Sequence, residues 1–445
     1  MRTPPALRGP PVIGLLPRMY RDAITLFREA ARESPDVVRV DFGLLDDVHL
    51  VFHPDGVRDA LVEGHREVFK ELTGLLGDGL AIAASGPEWR RRRRFLQPAF
   101  HRRSVDAMAS LMRASVLASI DGVWAPAARD GAPIDLVVEL KRITMSVILA
   151  TMFSAEPLAD VAGIGESLST SIEFAARRAL SIVKLPLSWP LPRHRRFRAA
   201  AAHLHAVAGR IIHERRASGE ERGDLLGMML AAREEGTGAV MDDKMLRDEV
   251  TTLVLAGYET TATALTWTLL LLAHEPDIVA ALREELDGAL GDRDPELADL
   301  ERLELHRRVI EEALRLYPPV WSLFRKFPEA RRVCGYDLPA GGTVVLCPYI
   351  THRDPRFWSD PDRFDPDRFD PAQVEARHRY AHFPFGGGPH VCIGATFARV
   401  EARMVLAMLL RRFTLEFTSP PPLRPLAQLT LTPRDVPPLR LRPRA

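Results

Sequence analysis

The stretch that most constrains this chain is Phe383-Pro384-Phe385-Gly386-Gly387-Gly388-Pro389-His390-Val391-Cys392-Ile393-Gly394. One cysteine sits behind three consecutive glycines and two prolines, and residues 395–412 then follow with a helical pattern. Glycine tolerates positive φ and lets backbone approach a ligand, while proline removes a donor and stiffens the loop. Such a loop holds a sulfur rigidly, turns N–H groups toward it and places it at the positive end of a helix, which favours a thiolate. An ordinary buried cysteine before a helix is the other reading these residues leave open.

Bulk properties narrow the classes. Sixty Lys and Arg against 59 Asp and Glu give a net charge of +1, so only local patches can steer a charged partner, and a nucleic-acid binder is disfavoured. Three cysteines (Cys334, Cys347, Cys392) build no disulfide framework and fit a reducing, cytoplasmic setting. Cys and His do not recur at zinc-ligand spacing. The proline-rich N-terminus carries no long apolar run, so neither a signal peptide nor a membrane anchor is expected. Leu269 to Leu272 are read as part of a buried core helix.

Along the chain, residues 19–33 have helical spacing, and 37–42 with 48–52 alternate as a strand pair. Residues 67–86 are irregular, with Leu72, Leu75, Leu76, Leu80 and Ile82 expected to face an apolar ligand. From Pro87 onward about two hundred residues read as helix, broken at Pro98, at 126–133 and at 185–192. This last stretch separates helices expected at 158–182 and 194–218 and would suit a mobile cover. Strand-like pieces return at 324–327, 343–347, 429–431 and 439–441. The repeated Asp-Pro pairs of 354–371 predict a non-helical meander. The economical reading is mainly α with small β-sheets in one large domain over 1–445. Its β-rich portions lie at about 36–53, 320–350 and 425–442, and its helical portions at about 87–316 and 392–412.

The pattern Phe385-x-x-Gly388-x-His390-x-Cys392-x-Gly394 resembles the haem-binding loop of the cytochrome P450 family, soluble bacterial type. Further motifs in the family's order extend the resemblance over residues 10–441. Ala256-Gly257-Tyr258-Glu259-Thr260-Thr261 lies in an apolar helix and is similar to the family's oxygen-binding motif. Gly257 costs about 1 kcal/mol in a helix interior, and a hydroxyl that bonds back to a carbonyl can open the helix locally. Glu312-Ala313-Leu314-Arg315 places a Glu–Arg pair on one helix face, and Arg368 would complete it. Trp89 and Arg93 are i, i+4 neighbours able to reach one anion.

The resemblance implies a helical domain enclosing a b-type haem, with Cys392 as the iron ligand. Trp89, Arg93, Arg325 and His390 would bond the propionates, and Phe385, Ala256 and Gly257 would line the cofactor. Thr260 with Glu259 would deliver protons to bound oxygen, while Glu312, Arg315 and Arg368 brace the cysteine loop. Leu253, Ala256, Thr261, Val320, Trp321, Leu323 and Leu429 stand at substrate positions and are mostly apolar, so the ligand should be a lipophilic small molecule. The texture around Asp224-Leu225-Leu226, Gly257-Tyr258-Glu259-Thr260 and Val320-Trp321 is more similar to terpenoid- and fatty-acid-oxidising members than to macrolide-tailoring ones, with a terpenoid favoured and a fatty acid second.

The implied reaction is insertion of one oxygen atom of O2 into a C–H bond, with electrons from a separate ferredoxin- or flavodoxin-type donor and its reductase. Arginines left outside the site, with Arg102, Arg103, Arg399 and Arg403, would form its docking patch. A haem-thiolate peroxygenase is the alternative, disfavoured by the Glu259–Thr260 pair, and a non-catalytic haem or ligand-binding protein is another. A cysteine-nucleophile enzyme would need an oxyanion device and an orienting acid, and neither is evident.

Overall fold

A computed structural model of the chain describes residues 2–44, 46–67, 70–154, 161–179, 181, 183–220, 222–233, 238 and 240–444. The longest helix among them, Asp243–Leu272, runs through the middle of the fold and is buried on almost every side, because its apolar residues are not confined to one stripe. Its start is fixed by the Asp242 carboxylate, which accepts the Met245 N–H at 2.7 Å. Helices Leu136–Phe153, Pro192–Ser218, Glu304–Leu316 and Ala395–Arg412 pack against this central helix. Leu269 to Leu272 are core, as expected. No single helix among the described residues is long and apolar enough to cross a membrane; the central helix and Pro276–Leu290 meet that test only as a pair bent by 113°.

The first two of the three β-rich portions meet, with Ala6–Leu7, in one five-stranded sheet, ordered Ala6–Leu7, Val37–Val40, Val48–Val51, Thr343–Leu346, Leu323–Lys326. Val48–Val51 joins the N-terminal hairpin to the later strands by parallel pairing, Val48 opposite Thr343 through Val51 opposite Leu346. Arg325 is thereby carried on an edge strand opposite Val344. Smaller two-stranded sheets pair Arg331–Val333 with Tyr336–Leu338, Phe413–Phe417 with Leu439–Pro443, and Pro425–Ala427 with Leu431–Pro433. Leu429, expected in a strand, lies in the connection of the last hairpin instead.

Several local expectations need correction. The break expected within 126–133 comes at Gly131, φ +65°, while Pro126 itself sits inside a continuous helical run from Arg102 to Asp130, just after the π-turn Ile120–Trp124. The limits expected at 158 and 182 lie outside the described residues; the described helix is Val161–Ala179. Leu72, Leu75, Leu76, Leu80 and Ile82 are at most 7% exposed. Two short turns roll the first three into the core, Lys70–Leu72 against Val161–Ala179 and Thr73–Leu76 against the central helix and Pro192–Ser218. The loop that follows is held to the central helix by two carboxylates, Asp248 accepting from Asp78 N–H at 3.1 Å and Glu249 from Leu80 N–H at 3.0 Å.

Candidate active site

The cysteine loop folds as its glycines require. Gly388 has φ +62°, and a Cβ there would lie 2.2 Å from the Leu61 carbonyl oxygen, so any side chain is excluded twice. Cys392 N–H donates to Phe385 C=O at 2.9 Å, and helix Ala395–Arg412 begins after Gly394. Cys392 is accessible in its loop, while the surrounding protein still imposes a desolvation cost on its sulfur. Burial raises its thiol pKa, while the Gly394 N–H, Arg93 and Arg399 pull toward the thiolate.

Beside the loop stand four basic side chains from four segments. Trp89 and Arg93 lie on helix Pro87–Leu96; the His390 ring lies 3.9 Å from the Trp89 ring, tilted by 41°, and Arg93 donates to Val391 C=O at 2.9 Å. Arg325 is buried, makes its described hydrogen bond only to its neighbour Phe324 C=O, and leaves its Nε without an acceptor. The fourth is Arg66, which the sequence reading missed; it donates to Leu80 and Ala83 carbonyls at 2.6 and 2.8 Å. Burial holds both Arg66 and Arg325 at about 10, and Arg325 and Arg93 add repulsion at Arg66. His390 is pushed down to about 3 by burial and by Arg66, Arg325 and Arg93. Its Nε2 meets Ser85 Oγ at 2.7 Å, and its Nδ1 has no hydrogen-bond partner among the described residues. Among the described residues no carboxylate pairs with Arg66, Arg93, Arg325 or His390. Clustered cations without a counter-ion are the complement of a dianion.

In the central helix, Ala256 and Thr260 are accessible although most of the helix is buried. Thr260 Oγ1 donates back to Ala256 C=O at 2.7 Å, as expected, and the helix runs on unbroken. Gly257 has a packing reason as well: a Cβ there would sit 2.4 Å from Ile148 Cδ1 of helix Leu136–Phe153. Glu259 does not share the Thr260 surface. It is 5% exposed, ion-paired to Lys141 Nζ at 2.7 Å and within 3.3 Å of the Thr430 hydroxyl. Tyr258 turns onto the same lysine, whose Nζ lies 5.5 Å from its ring centroid. Lys141 was not legible as a site residue, since nothing local marks it.

The structure brings Glu312, Arg315 and Arg368 together. Arg315 grips Glu312 with two hydrogen bonds of 2.6 and 2.7 Å, both side chains fully buried, and Arg368 Nε lies 3.5 Å from the same carboxylate. Arg315 also donates to the carbonyls of His352, Pro361 and Arg363, and Glu312 accepts the Asp365 N–H, so the Asp-Pro meander is stitched to one helix turn. His352 carries the brace onward: its Nδ1 faces Arg315 C=O at 3.3 Å while its Nε2 accepts the Phe383 N–H at 2.9 Å, where the cysteine loop starts. The two contacts together set its tautomer.

Among the expected substrate residues, Leu253, Val320, Leu323 and Leu429 are partly accessible and Ala256 is exposed. Thr261 and Trp321 depart from the expectation. Thr261 is buried with its hydroxyl beside the Glu401 carboxyl, and Trp321 is buried with its N–H bonded to Gln428 C=O at 2.8 Å and its ring 5.6 Å from Phe27. The arginine run also divides differently: Arg92 faces inward and pairs with Glu249 at 2.8 Å, because it shares the buried face of Trp89, Phe95 and Leu96. Arg102 is matched by Asp106 and Glu301, and Arg399 by Glu311, which leaves Arg90, Arg94 and Arg103 as exposed cations.

An accessible cysteine sulfur at a helix start, beside cations that lack counter-ions, fits an iron porphyrin with its two propionates. The sequence matches the family described as Cytochrome P450 over residues 4–436. It is 38% identical to cyclooctatin synthase of Streptomyces melanosporofaciens over 86% of this chain and 84% of that one. It is 31% identical to pentalenene oxygenase of Streptomyces avermitilis over 95% and 93%. The fold superposes on the crystal structure of the cytochrome P450DA heme domain with a TM-score of 0.91, at 27% identity, covering 100% of this chain and 99% of that one. The chain thus belongs to the cytochrome P450 family of monooxygenases, with haem b as its cofactor.

Proposed function

We propose that the protein hydroxylates a C–H bond of a terpenoid, with a fatty acid as the second candidate, using O2 and electrons from a separate ferredoxin- or flavodoxin-type donor with its reductase. The names of the terpenoid-oxidising relatives support the substrate class. So does the apolar character of Leu253, Ala256, Val320, Leu323 and Leu429. Haem b, when bound, supplies the O2 chemistry, and this chain positions and protonates. Cys392 would hold the iron; Trp89, Arg93, Arg325 and His390, joined by Arg66, would hold the propionates, with Phe385 and Gly257 framing the cofactor. Thr260 Oγ would keep a proton at the accessible notch beside Ala256, a task worth about 10²–10⁴-fold where proton transfer limits the rate. Glu259, held by Lys141, would act from one residue away as the charge that orients that relay. Exposed Arg90, Arg94 and Arg103 would receive an acidic donor, so turnover should fall as salt rises. Free cysteines throughout the described residues agree with work in the cytoplasm.

The observation that carries this reading is the polar, accessible notch of Ala256 and Thr260 in an otherwise buried helix, in a fold that also leaves the Cys392 sulfur accessible. A reduced, CO-treated spectrum tests the thiolate: the displaced Soret band is expected, and its absence in haem-loaded protein overturns Cys392 as ligand. A spin-state screen of cyclic terpene hydrocarbons against fatty acids tests the substrate, and tighter response to fatty acids would reverse the order. Thr260→Ala should divert reducing equivalents to peroxide; unchanged coupling removes Thr260 from the relay.

A further inference from the structure

A cleft of about 570 Å³ opens between helix Glu304–Leu316, the turn after Pro371–Ala376 and helix Ala395–Arg412. Arg307, Arg377, Arg379, Arg399 and Arg403 line it. Two of these are matched: Arg307 by Glu304, and Arg399 by Glu311 at 2.5 Å. The other three have no carboxylate within ion-pair distance among the described residues. Arg377 spends its guanidinium on the Trp358 ring, 3.9 Å from the centroid, and on the Arg368 carbonyl. Arg379 is exposed over Tyr380, 5.7 Å away. The Nε of Arg403 and the Nε2 of His382 are buried without a hydrogen-bond partner among the described residues. One more wall carboxylate, Glu375, is exposed and pairs with none of them. Five guanidiniums therefore line the cleft against two wall carboxylates, Glu311 and Glu375, with Glu304 and Glu285 acting from behind the wall.

The cleft has the size of a small-molecule site, and its surplus charge asks for a dianion. A single carboxylate from a partner would fill little of the volume and match one arginine. Guanidinium pairs bidentately with phosphate oxygens, and several arginines can share one such group. Burial and the crowd of like charges have physical consequences in the free cleft: burial brings Arg377 down to about 10, and burial with Arg307 lowers Arg403. The apolar wall of Ile310, Phe369 and Val374 leaves room for an organic body beyond the anionic head.

We propose that this cleft binds a phosphate- or diphosphate-class oxyanion, free or carried on a small organic molecule. The site is separate from the exposed Arg90, Arg94 and Arg103. It also touches the cysteine loop, since the Arg399 guanidinium lies 4.3 Å over the Phe385 ring.

The test is calorimetric titration of haem-loaded protein with pyrophosphate and, separately, with adenosine diphosphate, at ionic strength fixed by potassium chloride. Saturable binding is expected. Arg403→Gln should weaken it at least tenfold, and Arg379→Glu, an exposed change that leaves the packing alone, should weaken it at least as much, both with unchanged haem content. Preference for pyrophosphate would assign a free anion, and preference for the nucleotide an organic phosphate. No saturable binding of either probe, or equal affinity in wild type and both variants, overturns the proposal.

Discussion

Glu401 offers the sharpest test of the physical reasoning. It lies on helix Ala395–Arg412, is fully buried, and neither carboxylate oxygen has a hydrogen-bond partner at ordinary geometry among the described residues. Burial pushes its pKa up to about 8, and only the nearby Thr261 hydroxyl pulls the other way. No cation offsets the charge, so the folded protein holds Glu401 as the neutral acid where the unfolded chain, near 4.5, has released its proton. The folded pKa is raised, so the stability contribution is complete below about 4.5 and drains away as pH rises through 8.

At about 1.4 kcal/mol for each tenfold difference, the loss across that window is bounded near 5 kcal/mol, and relaxation of the site would bring it to roughly 2–4 kcal/mol. Glu401→Gln keeps shape and polarity but cannot ionise. For a chain of 445 residues, 1 kcal/mol moves the melting midpoint by about 1 °C. The assay is thermal unfolding of both haem-loaded proteins from pH 5 to 9, read as the difference between the two profiles so that shared titrations cancel. The variant should gain about 2–4 °C on wild type between pH 5 and pH 9. Parallel profiles would falsify the claim that Glu401 is buried as a neutral acid.

Three further perturbations follow from the same structure. Glu312→Ala leaves Arg315 and Arg368 without their carboxylate; a loss of about 3–5 kcal/mol and of haem retention is expected, and normal haem content would refute the bracing role. Lys141→Met strands Glu259 in an apolar setting and should cost roughly 2–4 kcal/mol in denaturant unfolding, most of it restored by adding Glu259→Gln; a double variant no better than the single would break the pairing argument. Gly257→Ala drives a methyl into Ile148 and should cost about 1–3 kcal/mol, relieved by Ile148→Val, with no relief counting against the close-approach explanation.

What the sequence discloses here is what repeats at short spacing. Cys392 with its glycines, Trp89 with Arg93, and Glu312 with Arg315 are legible because one loop or one helix face sets their geometry. Arg66, Lys141 and His352 escape because their partners come from distant segments: Lys141 meets Glu259, and His352 links Arg315 to Phe383. Two misses had a signal. Arg92 lies three residues after Trp89 on the buried face, and Glu401 is a lone acid amid the apolar run of its helix. Thr261 was misplaced for a related reason: family position put it near substrate, whereas one step of helix rotation from Thr260 turns it to Glu401.

The His352 link bears on how such a protein matures. The loop bearing Cys392 is fastened by a histidine forty residues earlier, itself fastened by Arg315, and the basic side chains beside it come from residues 66, 93, 325 and 390. Arg66 with Arg93, and Arg315 with His352, can meet earlier, but the set is complete only once the cysteine loop itself has been made. With Cys392 as the iron's holder, as proposed, a polypeptide truncated before residue 392 should emerge colourless however much of its helical body has formed.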